Sequence, residues 1–163
     1  MAIVNPYIRK IGDSTPTYRL IDDFGFYVKD IPFSLSAKVK EPEKNTFFDE
    51  DGDQEYEQNN LYLEGYEMEI TFCSKGTKEQ LYSRYMKLLK YLTGKDGTGT
   101  KFMLYNERIG AGRTDIRLKE FDDDAEYYDL DSDEEPFLLE IKSTFKVNDP
   151  ITEVTLNADG TIQ

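Results

Sequence analysis

Apolar and polar residues alternate along several stretches of this chain. In PFSLSAKVKEP, Pro32 to Pro42, Phe33, Leu35, Ala37 and Val39 share one face while Ser34, Ser36, Lys38 and Lys40 share the other. A period of two is the spacing of a strand covered on one side, and a proline ends it, so the stretch predicts a half-buried strand. Alternation resumes in LYLEGYEMEITFC, where Tyr66, Met68, Ile70 and Phe72 oppose Glu67, Glu69 and Thr71. Leu61 and Leu63 sit on odd positions and Tyr66 onward on even ones, and a bulge at Glu64-Gly65 would absorb the change. Downstream, KFMLY and GRTDIRLKEF flank NERIGAG as a second antiparallel hairpin, with Arg113, Asp115, Arg117 and Lys119 opposite Thr114, Ile116 and Leu118. The last long run, PFLLEIKSTFKVNDP, sets Phe137, Leu139, Ile141, Phe145 and Val147 against Glu140, Lys142, Thr144 and Lys146, and ends at an Asn-Asp-Pro turn.

One stretch has helical periodicity instead. In TKEQLYSRYMKLLKYLTG, Thr77 and Gln80 have the spacing of a capping box, Leu81, Tyr85, Leu88, Leu89 and Leu92 form one apolar face, and Gly94 stops the run. The glycines of TGKDGTGT match no phosphate-loop pattern, so Gly94, Gly97 and Gly99 read as a turn. Long alternating strands with one such helix predict an α+β, mainly β fold: an antiparallel β-sandwich or barrel-like sheet, an amphipathic α-helix at about 77–93 packed on it, and long hairpin loops. The length of 163 residues suits a single domain over 1–163, its core at about 18–150. Residues 151–163 form a short C-terminal extension with one strand candidate, EVTL, and a polar end free to dock elsewhere.

Charge narrows the function. Thirty-three Asp and Glu against 20 Lys and Arg leave a formal charge of −13, which repels phosphate backbones and anionic lipid alike, so no specific nucleic acid is expected as partner. No apolar run approaches the roughly 20 residues that span a bilayer, and MAIVNPYIRK lacks the apolar core of a signal peptide, which predicts neither membrane insertion nor export by a cleaved leader. Histidine is absent, removing the side chain most used for proton transfer near neutral pH and the commonest transition-metal ligand. Cys73 is the only cysteine and its alternating context reads as packing. Carboxylate-only hydrolysis needs one acid in an apolar pocket beside an ionised partner. Here 18 of the 33 acids lie instead in two runs, Glu41 to Glu57 and Glu120 to Glu135, the pattern of solvated loops. The expectation is a non-enzymatic protein with no catalytic residues and no cofactor.

The first acidic run contains FFDEDGDQEYEQNN, whose Asp-x-Asp-x-Asp opening resembles an EF-hand loop. Counted from Asp49, it offers Asp49, Asp51, Asp53, Glu55 and Glu57, but Gln54 stands where the turning glycine belongs, Asn60 where the closing glutamate belongs, and Gly52 falls at position four. The run therefore predicts no metal site and reads as the tip of a long hairpin. Tyr56, Tyr62, Tyr127 and Tyr128 allow two readings, stacking on sugars in a β-sandwich carbohydrate- or calcium-binding module, or packing at a subunit contact.

The order of these parts, from the alternating strand and its DEDG tip through YEMEITFCSKGTKEQLYSRYMKLLKYL, a glycine turn and a hairpin to a closing strand ending FKVNDP, resembles the N-terminal hub domain of distal tail proteins from long-tailed phages, and more loosely the related tail-tube fold. The resemblance covers roughly Tyr18 to Pro150 and rests on patterns, not on chemical signatures. It implies a helix-flanked β-sandwich assembled as a hexameric ring between tail tube and baseplate, with itself, tail-tube proteins and baseplate proteins as partners, in the virion after synthesis in the host bacterial cytoplasm. Many members continue after the Asp-Pro turn into a galectin-like domain, whereas this chain stops at Gln163, as a hub-only version or another tail-tube or tail-completion protein would. On this reading the acidic loops touch neighbouring subunits, with Asp49, Asp51, Asp53, Glu55, Tyr56, Tyr127 and Tyr128 as the expected contact residues. An acidic lumen would let DNA pass without sticking.

Overall fold

The computed structural model describes residues 3–34, 37–56, 59–122, 126–128 and 136–163, with only the backbone for 126–128. In chain order the elements are β1 (Tyr7–Lys10), β2 (Thr17–Arg19), a π-helical turn (Leu20–Phe24), β3 (Tyr27–Val28), β4 (Lys44–Asn45), β5 (Gln54–Glu55), β6 (Tyr66–Gly76), α1 (Lys78–Thr93), β7 (Phe102–Asn106), β8 (Ala111–Phe121), β9 (Glu126–Tyr128) and β10 (Phe137–Val147). The three longest strands are those whose alternation is cleanest. β10 lies antiparallel to β6 over its whole length, from Phe137 opposite Gly76 to Val147 opposite Tyr66. On its other side β10 meets β8 from Ser143 to Val147 and β9 from Leu138 to Glu140, so two strands in succession cover one edge. The large sheet runs β2-β1-β7-β8-β10-β6-β3, every neighbour antiparallel.

The sheet curls until its ends approach. Val4, just ahead of β1, exchanges backbone hydrogen bonds of 3.0 and 3.1 Å with Val28 of β3. That is a single bridge and no ladder, so the architecture is sandwich-like and not a closed barrel. Its interior holds the even positions of β6 and the odd positions of β10: Met68, Ile70, Phe72, Phe137, Leu139, Ile141, Phe145 and Val147 are all buried. Phe145 stands edge-on to both Phe72 (6.0 Å) and Phe102 (5.7 Å), the geometry in which ring edges meet ring faces. Cys73 is buried on the opposite face of β6, and burial pushes its thiol up, consistent with a packing role.

The helix forms as its sequence directs. Thr77 accepts from the Gln80 backbone N–H, the Gln80 side chain accepts from the Thr77 N–H, and Gly94 closes the helix at φ 73, where a Cβ would lie 2.8 Å from the Gly99 carbonyl oxygen. The buried face comprises Leu81, Leu88, Tyr91 and Leu92, with Tyr85 half-buried against Phe121. Lys10, buried on β1, donates its ammonium to the carbonyls of Tyr91 and Gly99 and lies 4.4 Å from the Tyr91 ring centroid. A lysine thus supplies the cation that the carbonyl end of α1 favours, and burial pulls its pKa down. At the other end Arg84 crosses over Gly25 and donates to Ser74 Oγ and the Lys75 carbonyl, tying the helix to β6.

Four expectations are altered. Pro32 to Pro42 does not form a core strand: Ile31 and Phe33 pack against the core, but Val39 makes only an isolated bridge to Leu63 and is exposed, while Leu35 and Ser36 lie outside the described residues. The parity change at Glu64-Gly65 is a boundary between that bridge and β6, and no strand continues through it. In β8, Arg113 faces Leu104 while Ile116 faces Phe102, so one extra residue bulges between them, and Asp115 takes up φ 53 there, 2.9 Å from Lys101. The polar C-terminal end does not leave the molecule, since Val154 and Ile162 are buried.

Candidate functional site

Among the described residues one element projects beyond the core, the arm between residues 38 and 64. Its base is held by hydrogen bonds from Lys40 N–H to the Tyr62 carbonyl and from Glu64 N–H to the Lys38 carbonyl, both 2.7 Å. Farther out β4 and β5 pair as a separate two-stranded sheet, Lys44 opposite Glu55 and Asn45 opposite Gln54. Of the described residues from 38 to 64, only Pro42 and Leu63 are even half-buried. Alternating strands with a polar, glycine-containing tip fold locally into such a hairpin, but two strands alone are marginal in water and usually gain from a covering surface.

Asp53 is committed within the tip. Lys44 donates to Asp53 Oδ2 at 3.0 Å and Thr46 Oγ1 to Oδ1 at 2.8 Å, and the lysine hydrogen bond holds this carboxyl below the usual aspartate range. Glu50 accepts from the Gln54 side chain, and Asn45 donates to the Tyr56 hydroxyl at 3.2 Å. Asp49, Asp51 and Glu55 are exposed on the same tip. Thus the arm brings together Asp49, Asp51, Asp53, Glu55 and Tyr56, and among the described residues no cluster of three or more ligating side chains is arranged to hold a metal ion. Tyr127 and Tyr128 are elsewhere: the backbone of β9 pairs them with Leu139 and Leu138 at the sheet edge, and their side chains lie outside the described residues, as does Glu57.

What the arm shows to water is partly apolar. Phe48 at the tip is fully exposed (107 %), and Val39, Phe47, Tyr56, Leu61 and Tyr62 are exposed as well. Single exposed apolar residues are ordinary, but six large ones lie along this one hairpin.

A second surface, which the sequence reading missed, is the outer side of α1. Tyr82, Ser83, Met86, Lys87 and Lys90 line a shallow depression there, with Tyr82 68 % exposed. Residues 75–96 carry six cations against Glu79 and Asp96 in a chain of charge −13; Arg84 is turned to β6 and Lys78 lies over the Phe137 ring, which leaves Lys75, Lys87, Lys90 and Lys95. The signal was legible as a local reversal of charge. A further hollow at Asn5, Arg19, Asn106, Glu107 and Arg108 is occupied by an internal ion pair, Arg19 to Glu107 at 3.1 Å.

The curled antiparallel sheet with one capped helix and a two-stranded arm defines a mainly β, sandwich-like fold. That fold is also seen in a crystal structure of the SPP1 Dit protein, described as a paradigm of the hub adsorption apparatus in phages that infect Gram-positive bacteria. The two superpose with a TM-score of 0.57 at 16 % identity, over 95 % of this chain and 53 % of that one, so this chain spans about half the length of the Dit protein. At that identity the likeness is one of fold. No family model matches the sequence, and no curated protein does.

Proposed function

We propose that this protein is a non-enzymatic structural component of a phage or prophage tail, similar to a distal tail protein, which assembles as a homo-oligomeric ring, a hexamer, between tail tube and baseplate. The observation that carries the reading is the exposed arm, in a fold shared with a tail hub protein. A chain with a complete core has no structural need of a hairpin bearing exposed Phe48, Leu61 and Tyr62. A ring, by contrast, needs a heterologous contact in which one part of each copy reaches a different part of the next. On this reading the 163 residues act as one hub-like domain. The arm residues Asp49, Asp51, Asp53, Glu55 and Tyr56, with Tyr127 and Tyr128 of the second acidic run, touch or flank the neighbour. The partners are further copies and the tail-tube and baseplate proteins, and the place of action is the virion tail.

The test is mass by light scattering and negative-stain imaging of the purified protein, alone and with its tube protein. Closed rings are expected for the intact chain. Deleting Asp49 to Glu57 should leave the fold intact, because shortening a surface loop changes closure entropy only slowly, while weakening assembly. A strict monomer under every condition would sink the ring reading.

A further inference from the structure

We infer that the acidic arm of one copy docks on the basic outer face of α1 in the neighbouring copy; this rests on the ring reading above and names both halves of its contact. The first argument is charge. The run Glu41 to Glu57 carries eight carboxylates and one lysine, whereas residues 75–96 carry six cations and two carboxylates. Within one copy β4 and β5 pair only with each other, and the described residues from 43 to 56 are all exposed. Among the described residues, none of Lys75, Lys78, Lys87, Lys90 and Lys95 forms an ion pair. Lys87 is instead held in place by the Asp23 carbonyl at 2.6 Å, which presents its charge on the surface.

The second argument is shape and apolar content. Exposed ion pairs contribute little each, so charge alone orients an encounter and does not hold it. Tyr82 and Met86 supply an apolar strip in the helix depression, and the fully exposed Phe48 supplies an anchor at the arm tip. Rigid aromatic side chains entering a partner's pocket, rimmed by charges, are what dominate association energies. Reach is sufficient: at roughly 3.3 Å per residue, a leg of the arm from residue 38 to the turn beginning at 48 extends at most about 30 Å, against about 24 Å for the axis of α1. An arm-to-helix contact joins unlike surfaces, as ring closure requires.

Salt does not isolate this contact, because screening weakens arm-helix attraction and the repulsion between copies of charge −13 together. A charge exchange does. Glu41→Lys, Glu43→Lys, Asp49→Lys and Asp51→Lys together take the run 41–57 from −7 to +1, and Lys75→Glu, Lys90→Glu and Lys95→Glu together take residues 75–96 from +4 to −2. Glu41 loses an attraction to Lys44 and Lys90 its place in the last turn of α1, so the thermal midpoint of each variant is measured beside its assembly. Each variant alone should raise the concentration needed for half-assembly by about tenfold or more, the effect of losing the rim attraction and gaining repulsion. An equimolar mixture should assemble like the parent, because in an alternating ring every basic arm meets an acidic helix and every acidic arm a basic one. Phe48→Ala should weaken assembly with no change in thermal midpoint. If the parent and the arm deletion behave as the ring reading requires but the helix variant assembles normally, or the mixture shows no recovery, the docking inference falls and the ring reading stands. If the parent never assembles, both fall.

Discussion

Tyr91 shows how a single side chain holds the seam between helix and sheet. Its ring packs against Phe24 (5.0 Å) and Tyr18 (5.8 Å) and lies beneath the Lys10 ammonium. Its hydroxyl is buried without a well-formed hydrogen bond, receiving only a weak approach from the Lys10 backbone amide, and burial pushes the phenol far above its ordinary value. Burial raises Tyr66 and Tyr27 in the same direction. Each of these phenols keeps a proton in the folded state that the unfolded chain releases above pH about 10. Their stabilisation is therefore complete below that pH and is lost as pH rises through the higher folded values. Lys10 acts oppositely: its pKa is lowered, so folding is favoured as pH rises toward about 10.5, where the unfolded lysine also loses its charge. Three phenols outweigh one amine, and stability should fall in alkali. Tyr91→Phe should be neutral to about 1 kcal/mol stabilising at pH 7, since it removes an unsatisfied hydroxyl, and should show a smaller loss at pH 11. Urea midpoints at the two pH values measure both. If Tyr91→Phe were clearly destabilising at pH 7, the hydroxyl would have to have a real partner. None of this pairing is legible in the sequence, where Lys10 simply ends the short run YIRK.

At the scale of the element, legibility followed length and separation. β6, β8 and β10 each run eleven residues, enough for alternation to stand out, and α1 carries both caps as sequence signals. β1, β2 and β3 have four, three and two residues, too few for a period, and they exist because long-range partners extend them: Tyr7 to Lys10 lie against Phe102 to Tyr105. The Pro32 to Pro42 alternation foretold that one face would be covered without saying by what, so the exposed start of the arm reads like a core strand. The reason the candidate site was half legible is similar: its acids and tyrosines stand out along the chain, but the lysines on the outer side of α1 emerge as one surface only when its apolar side is seen turned inward. That inward side gives a firm expectation. Leu88 is fully buried and central on the face, so Leu88→Ala should cost about 2–5 kcal/mol through lost transfer energy and a cavity that the clamped helix cannot collapse. A thermal or urea measurement giving less than about 1 kcal/mol would mean that α1 sits loosely on the sheet.

At the scale of the whole molecule, the C-terminal segment is fastened to β1, β2 and β8, and this leaves the arm as the exposed element among the described residues. The C-terminal segment folds back as a small hairpin in which Thr155 and Gln163 exchange backbone hydrogen bonds of 2.9 and 3.1 Å. It covers the outer side of β1, β2 and β8: Arg9 donates to the Ile162 carbonyl at 2.7 Å, the Ile162 N–H reaches Thr17 Oγ1, and Val154 sits so close to Gly112 that a Cβ there would come within 2.9 Å. Val154 and Ile162 are buried apart from the main core, so they form a second, smaller layer outside the sheet. A residue one place from the chain end would ordinarily tolerate truncation, since termini fray unless tied down. Here Ile162→Ala should cost about 2–4 kcal/mol, whereas Ile151→Ala, at a position 64 % exposed, should change stability by less than about 0.5 kcal/mol. Equilibrium unfolding of the two variants beside the parent tests the contrast, and equal, small effects would show that the hairpin detaches readily. If Ile162 behaves as its burial requires, the C-terminal segment is committed to its own copy, and the arm is left as an element with exposed aromatic residues, opposite charge to the helix face and length enough to reach another chain.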